Sequence, residues 1–400
     1  MLYIIFYFQV HQPYRIRDFS VFEVGGSNNY FDEQLNRYII NKVAEKCYLP
    51  INSLFKELIE SSEGRFKVSY SITGTFLEQV KNYRPEVLES FLELAKTGAV
   101  EFINETYYHS LASIFDIEEF LEQVEEHFEF IKNEFGFLPT TFRNTELIYF
   151  DKLSDFLLNF PHLKTILIEG ADHILKGDLP LYPRLSYNHA HLLLLKHYKL
   201  SDDIAFRFSN RGWEDYPLTA EKYVQWIKNL KLVEREGKNL YLNLFMDYET
   251  FGEHQWKETG IFDFIRKVIE LILEEEDLAF LWPSEVRQTL NYTPKVLFVP
   301  NPTSWADTER DLSAWLSNPL QWNAMKTCFD FLKRAKQKGK WDLVSPLKRL
   351  TTSDHFYYMC IKYFQDGDVH KYFSPYPSPE HAYRYYINIL TDIEEKLEEG

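Results

Sequence analysis

The stretch Leu240-Tyr-Leu-Asn-Leu-Phe-Met-Asp-Tyr-Glu-Thr-Phe-Gly-Glu-His-Gln-Trp256 opens as an apolar run and closes as a polar cluster. Leu240 to Met246 reads as a buried strand. Its end delivers Asp247 and Glu249, then Gly252, Glu253, His254 and Trp256. In barrels and open α/β sheets the carboxyl ends of the strands are where ligands bind. Strand alternation predicts Asp247 and Glu249 on one face. Two carboxylates beside an imidazole and a flat apolar ring suit a neutral, hydroxyl-rich ligand.

The rest of the chain is compatible with that start. A length of 400 residues allows one barrel-sized domain with additions, or two domains. Aromatic residues make up 17% of the chain, more than a core alone calls for, and the surplus can stack on sugar rings. A net charge of −16 argues against nucleic acid and anionic membranes as partners, since both reward Lys and Arg. The three cysteines, Cys47, Cys328 and Cys360, are scattered and odd in number, so neither a disulfide framework nor a clustered zinc site can be read from them. The opening Leu2-Tyr-Ile-Ile-Phe-Tyr-Phe8 has no basic leader or cleavage site, and no apolar run reaches the roughly 18 residues of a membrane helix. A cytoplasmic protein is expected.

Further strands are expected at 2–9, 66–72, 100–104, 140–147, 165–170 and 191–196, with a strand end or polar-aromatic loop at 202–209. Amphipathic helices are expected between them, at 33–61, 74–97, 116–135, 219–230 and 259–276. This alternation implies a mainly parallel sheet with helices outside, and about seven strands favour a barrel or incomplete barrel over an open sheet. The character changes near residue 300. Helices are expected from Trp305 to about Lys338, at 353–364 and at 379–398. The division is therefore a barrel over 1–295 and a C-terminal helical region over 296–400 that packs on the barrel and contributes to its site.

Five strand ends carry polar groups: His11, Glu101, Glu146, Asp203 or Arg207, and Asp247 with Glu249. In a barrel these ends share one face. Paired carboxylates among aromatics suit glycoside cleavage, one as nucleophile and the other as general acid and then base. The residues alone do not say which pair it is. A metal-dependent reading, as in polysaccharide deacetylases or α-mannosidase-like hydrolases, needs His and Asp ligands, yet apart from Asp202-Asp203 no close ligand signature is present. A non-catalytic glucan-binding protein is the other alternative.

The motifs resemble those of glycoside hydrolase family 57, whose α-amylase-like members have an incomplete (β/α)7 barrel. His11-Gln12-Pro13 matches its first motif and Gly98-Ala-Val-Glu101 its second. Arg143-Asn-Thr-Glu146-Leu matches the third, and Phe245-Met-Asp247-Tyr-Glu249-Thr-Phe-Gly252 the fourth. Trp305-Ala-Asp307-Thr-Glu309-Arg-Asp311-Leu-Ser-Ala-Trp315 looks like the fifth. The resemblance spans residues 1 to about 325. It implies a retaining enzyme acting on α-glucans, with Glu146 as nucleophile, Asp247 as acid/base, and no metal or organic cofactor. Glucanotransferase members carry a tryptophan three residues before the nucleophile, where this chain has Arg143. That departure favours an amylase over a 4-α-glucanotransferase or branching enzyme. The roles require Asp247 to start protonated, its pKa raised by burial and by charge from Glu249 and Glu101. Expected sugar contacts are stacking by Trp213, Trp256 and Trp305 and hydrogen bonds with His11, Gln12, Glu101, His109, Arg207, Glu249, His254 and Asp307.

Overall fold

The computed structural model describes residues 1–362 and 364–399. Its sheet has nine strands: β1 (Leu2–Val10), β2 (Val68–Ile72), β3 (Val100–Ile103), β4 (Thr141–Arg143), β5 (Thr165–Glu169), β6 (Arg184–Leu185), β7 (Leu192–Lys196), β8 (Leu240–Asp247) and β9 (Leu278–Phe280). The main path runs β3-β2-β1-β8-β7-β5-β4, every pairing on it parallel. The ring all but closes where Asn104, just past β3, bridges to Phe142 of β4. There Asn104 N donates to Thr141 O at 2.9 Å, and Arg143 N donates to Asn104 O at 2.9 Å. β9 pairs with the lower half of β1, and β6 lies antiparallel to β7. This is an α/β incomplete (β/α)7 barrel followed by a C-terminal helical region.

The strands are near-continuous apolar runs because both faces are covered. Ile5, Tyr7, Ile103, Leu167, Leu194, Tyr241 and Phe245 fill the barrel interior. Alternate residues such as Ile4, Phe6, Phe8, Leu242, Leu244 and Met246 pack outward against the helices. On the opposite side, Phe142, Ile166, Ile168, Leu193 and Leu195 share one core with the C-terminal helices Pro319–Lys338, Trp341–Leu350 and Pro379–Glu398. No helix among the described residues is long and apolar enough to cross a membrane.

Four local readings change. Glu249 does not continue the alternation of β8, because the strand stops at Asp247 and the 3-10 turn Tyr248–Thr250 redirects the chain. The stretch at 202–209 is not a strand end: β7 stops at Lys196, and His197 caps a helix, Tyr198–Asp202, that runs into a π-helical turn, Asp203–Arg207. Residues 305–312 are not helical, and Asp307 and Arg310 have φ of 54° and 51°. The helix expected at 353–364 is shorter, Ser353–Tyr357, and residue 363 lies outside the described residues.

Candidate active site

Glu146 sits one turn beyond β4, in the 3-10 turn Thr145–Leu147, with φ 57° and ψ 25°. A left-handed backbone costs a side-chain-bearing residue on the order of 1–3 kcal/mol and persists only where the surroundings enforce it. Here Leu147 N donates to Asn144 O at 3.0 Å, and Trp305 N donates to Glu146 O at 3.2 Å. Three donors converge on the carboxylate. Ser353 Oγ reaches Oε1 at 2.8 Å, His109 Nε2 reaches Oε1 at 3.3 Å, and Trp305 Nε1 reaches Oε2 at 2.6 Å. Burial opposes ionisation, but the His109 charge and hydrogen bond and the Trp305 N–H outweigh it, so the pKa falls below the usual range.

Asp247 closes β8, level with Gln9 of β1. Among the described residues no hydrogen bond reaches its carboxylate. Burial and the Glu146 charge push its pKa to about 7, against the pull of Arg143, His109 and Lys196. Two carboxyl groups of one cleft thus hold opposite protonation near neutral pH.

His109 lies between Glu146 and Glu105, with Nδ1 at 3.2 Å from Glu105 Oε2. Burial disfavours its charge, but the bonds to the two carboxylates push its pKa to about 9. His11 stacks on it with ring centroids 4.2 Å apart. Burial and the His109 charge keep His11 neutral, so Nε2–H donates to Asp354 Oδ2 at 3.0 Å and Nδ1 accepts from Thr73 Oγ1 at 2.9 Å. Glu249 turns toward Tyr48 of the π-helical turn Ala44–Tyr48, whose hydroxyl donates to it, and toward Gln12 Nε2 at 3.5 Å. Burial and the Asp247 charge raise Glu249 to about 8. Gly252 allows the loop behind it: φ is 108°, and a Cβ would lie 1.9 Å from Lys46 O.

The structure thus gathers Glu146, Asp247, His11, Gln12, His109, Glu249 and Trp305 at one end of the barrel. The other expected contacts lie elsewhere. Glu101 is buried at the seam of the ring, where Thr141 Oγ1 donates to it at 2.6 Å and Ser284 Oγ at 3.1 Å. Burial raises its pKa to about 7, and its work is to join β3 to β4 where the ladder is thin. Arg207 pairs with Asp203 at 2.7 Å and covers Trp213, which packs on Trp226. His254 meets the Phe373 ring at 5.4 Å. Trp256 is 60% exposed. Asp307 binds Lys362 at 2.7 Å and His370 at 3.2 Å. Among the described residues none of these makes a hydrogen bond or ion pair with Glu146 or Asp247.

Four participants were not picked out from sequence. Glu105 lies two residues past the end of β3, so the strand-end rule fits it better than Glu101 inside the strand, and its spacing of four to His109 was visible. Ser353 and Asp354 sit in the polar cluster Thr351-Thr-Ser-Asp-His355 that follows the helix Trp341–Leu350. Lys196 ends β7 beneath the Trp305 ring at 4.9 Å, and pairs with Glu169 at 3.4 Å.

His11, His109 and Asp354 place possible ligand atoms within 4.8 Å of one another. They make a poor metal set, because a lone pair lies in the plane of its imidazole and stacked rings cannot aim theirs at one point. Both His109 nitrogens are also taken by carboxylates.

Comparison with known proteins gives the lineage. The sequence model of "Glycosyl hydrolase family 57" matches residues 5–300. A protein of Methanocaldococcus jannaschii named "Putative alpha-amylase" is 44% identical over 99% of this chain and 85% of its own length. Among solved structures, the GH57-type branching enzyme of Pyrococcus horikoshii superposes with a TM-score of 0.69 at 15% identity, covering 92% of this chain and 87% of that one. The α-amylase AmyC of Thermotoga maritima superposes at 0.64 and 14%, covering 99% and 93%. The 4-α-glucanotransferase of Thermococcus litoralis superposes at 0.59 and 18%, over 89% of this chain but 50% of that one, so the chain spans half its length. At such identities the structural likeness is one of fold. The family match and the 44% relative go further, and this chain belongs to glycosyl hydrolase family 57 as a glycoside hydrolase.

Proposed function

We propose that the protein is a retaining hydrolase of α-1,4-linked glucans or maltooligosaccharides, with Glu146 as nucleophile and Asp247 as acid/base. The observation that carries the reading is the contrast between these two carboxyls. Glu146 accepts three hydrogen bonds and is held ionised, while Asp247 accepts none among the described residues and is held protonated to about pH 7. Asp247 protonates the departing glycosidic oxygen as Glu146 attacks the anomeric carbon, giving a glycosyl ester on Glu146. The resulting Asp247 carboxylate then takes a proton from water, which cleaves the ester and restores both groups. His109 steadies the Glu146 charge, and His11, Gln12 and Glu249 line the cleft as partners for sugar hydroxyls. Hydrolysis is favoured over transfer by the name of the Methanocaldococcus relative and by Arg143 in place of the tryptophan of the glucanotransferases.

Trapping with a slow-turnover fluorosugar and peptide mapping tests the assignment. The label is expected on Glu146, and a label on Asp247, Glu105 or Glu249 would overturn it. Product analysis on maltooligosaccharides tests the reaction: shorter sugars alone are expected, and chains longer than the starting material would mean transfer.

A further inference from the structure

Among the described residues Glu105 makes no hydrogen bond to Glu146, yet through His109 it bears on the nucleophile. It is fully buried. From below, Oε1 accepts from Ser71 Oγ at 2.7 Å and from Gln9 Nε2 at 3.2 Å. Oε2 faces His109 Nδ1 at 3.2 Å and Arg143 Nη1 at 3.9 Å. On the far side of the same imidazole, Nε2 faces Glu146 Oε1 at 3.3 Å. An ionised carboxylate can only accept, and a neutral imidazole carries a single N–H. Both bonds exist together only when the ring carries both protons.

The geometry therefore assigns Glu105 as a positioning residue: it holds His109 doubly protonated and in plane, so that Nε2–H presents a charged donor to Glu146. This rests on the reading of Glu146 as nucleophile. The other groups facing His109 do not replace Glu105. His11 is stacked on it and neutral, Asp247 is protonated to about pH 7, and Asp354 is engaged by His11. Arg143 faces Glu105 and favours its ionisation. His109 is further fixed by its backbone, with φ 52° and its carbonyl accepting from Ser353 N at 2.9 Å. The arrangement serves both half-reactions. A fixed positive donor favours Glu146 as an ionised nucleophile in the first and as a leaving carboxylate in the second.

The test is Glu105→Gln, which keeps the shape and removes the charge. His109 is followed by NMR on histidine-labelled protein, its signal assigned by its loss in His109→Gln. In the native chain it should stay charged to about pH 9. In Glu105→Gln its titration should fall by about one pH unit or more, and the acidic limb of kcat/KM on an aryl maltooligosaccharide should rise by a similar amount. Glu105→Asp, which restores the charge, should bring the limb back. If Glu105→Gln does not fold, His109→Gln supplies a neutral donor in its place and should raise the limb alike. A His109 titration that ignores Glu105→Gln overturns the inference. So does an unmoved limb in either Gln variant while a fluorosugar still labels Glu146. A label on a different carboxylate sinks the nucleophile assignment instead, and the Glu105–His109 coupling then stands or falls on the NMR titration.

Discussion

Glu146 and Asp247 carry the same functional group and differ only in what surrounds them. Hydrogen-bond donors and a bonded imidazolium stabilise one charge, while burial and the Glu146 charge keep the other carboxyl neutral. Glu146→Gln should therefore abolish turnover of every glycoside, and azide, entering from the vacated side, should restore part of it. Asp247→Asn should lower kcat/KM on unactivated glucans by about 10²- to 10⁴-fold. Glycosyl fluorides, whose leaving group needs no proton, should keep their first step and accumulate the glycosyl-enzyme. The pH profile should follow the same two groups. Asp247 is raised to about 7, so its acid form is present below that pH and is lost above it. Glu146 is depressed, so its base form persists until the pH falls below the ordinary carboxylate range. A bell with its basic limb near pH 7 is expected, and a basic limb that survives Asp247→Asn would contradict the assignment. The two residues titrate as a coupled pair, so the limbs belong to the site.

Among the elements, the segment Thr303–Asp311 is bound across the end of the barrel. Thr303 exchanges backbone hydrogen bonds with Tyr149 at 2.9 and 3.0 Å, and Arg310 pairs with Glu169 at 3.3 Å and Asp202 at 3.7 Å. Trp305 at its centre was expected as a sugar platform. Its indole donates to Glu146, meets Phe245 at 5.1 Å and lies over Lys196. Trp305→Phe keeps an aromatic ring, a smaller one, and deletes the N–H. Loss of a hydrogen bond to a charged group costs about 1.5–3 kcal/mol, so kcat should drop roughly 10- to 100-fold, and the acidic limb should rise. A drop confined to KM would return Trp305 to a sugar-binding role. The same elements mark what could be read in advance. The strands with unbroken apolar runs, β1 and β8, announced their ends, and with them His11 and Asp247. Glu101 misled, because a buried carboxylate within a strand also arises where an incomplete ring needs a side-chain bridge. Glu249 was read from an alternation that a 3-10 turn cuts short. Ser353 and Asp354 were hidden because their meaning depends on a contact spanning more than two hundred residues, from Ser353 back to Glu146, which no local periodicity encodes.

At the scale of the whole molecule, the barrel and the C-terminal helices share one apolar core, and the site draws on both. Phe142, Ile166 and Leu195 of the strands pack in the same cluster as Met325, Leu332, Leu347 and Ile389 of the helices. The loop after β1 clasps the last helix as well. Gly25 N donates to Asp392 Oδ1 at 2.6 Å, Asn388 Nδ2 donates to Phe19 O at 2.9 Å, and Lys396 Nζ donates to Ser27 O at 2.8 Å. Asp392, fully buried, also accepts from Tyr30 and Lys396. Removing one partner of such a buried charged network costs about 3–5 kcal/mol, because the groups left behind have lost water and gained nothing. Asp392→Ala should therefore lower Tm clearly, while fluorosugar labelling of Glu146 below that Tm proceeds at an unchanged rate, since the partners of Asp392 are Gly25, Tyr30 and Lys396 rather than any residue of the cleft. Truncation after residue 295 should do more. It strips the outer face of β4, β5 and β7 of its cover and takes Ser353 and Trp305 from the nucleophile, so the fragment should aggregate and leave no labelled Glu146. The intact chain should unfold in one cooperative calorimetric transition. Two separate transitions, or a soluble fragment over 1–295 that still forms the covalent intermediate, would mean that the helices are an appendage and that the barrel makes its site alone.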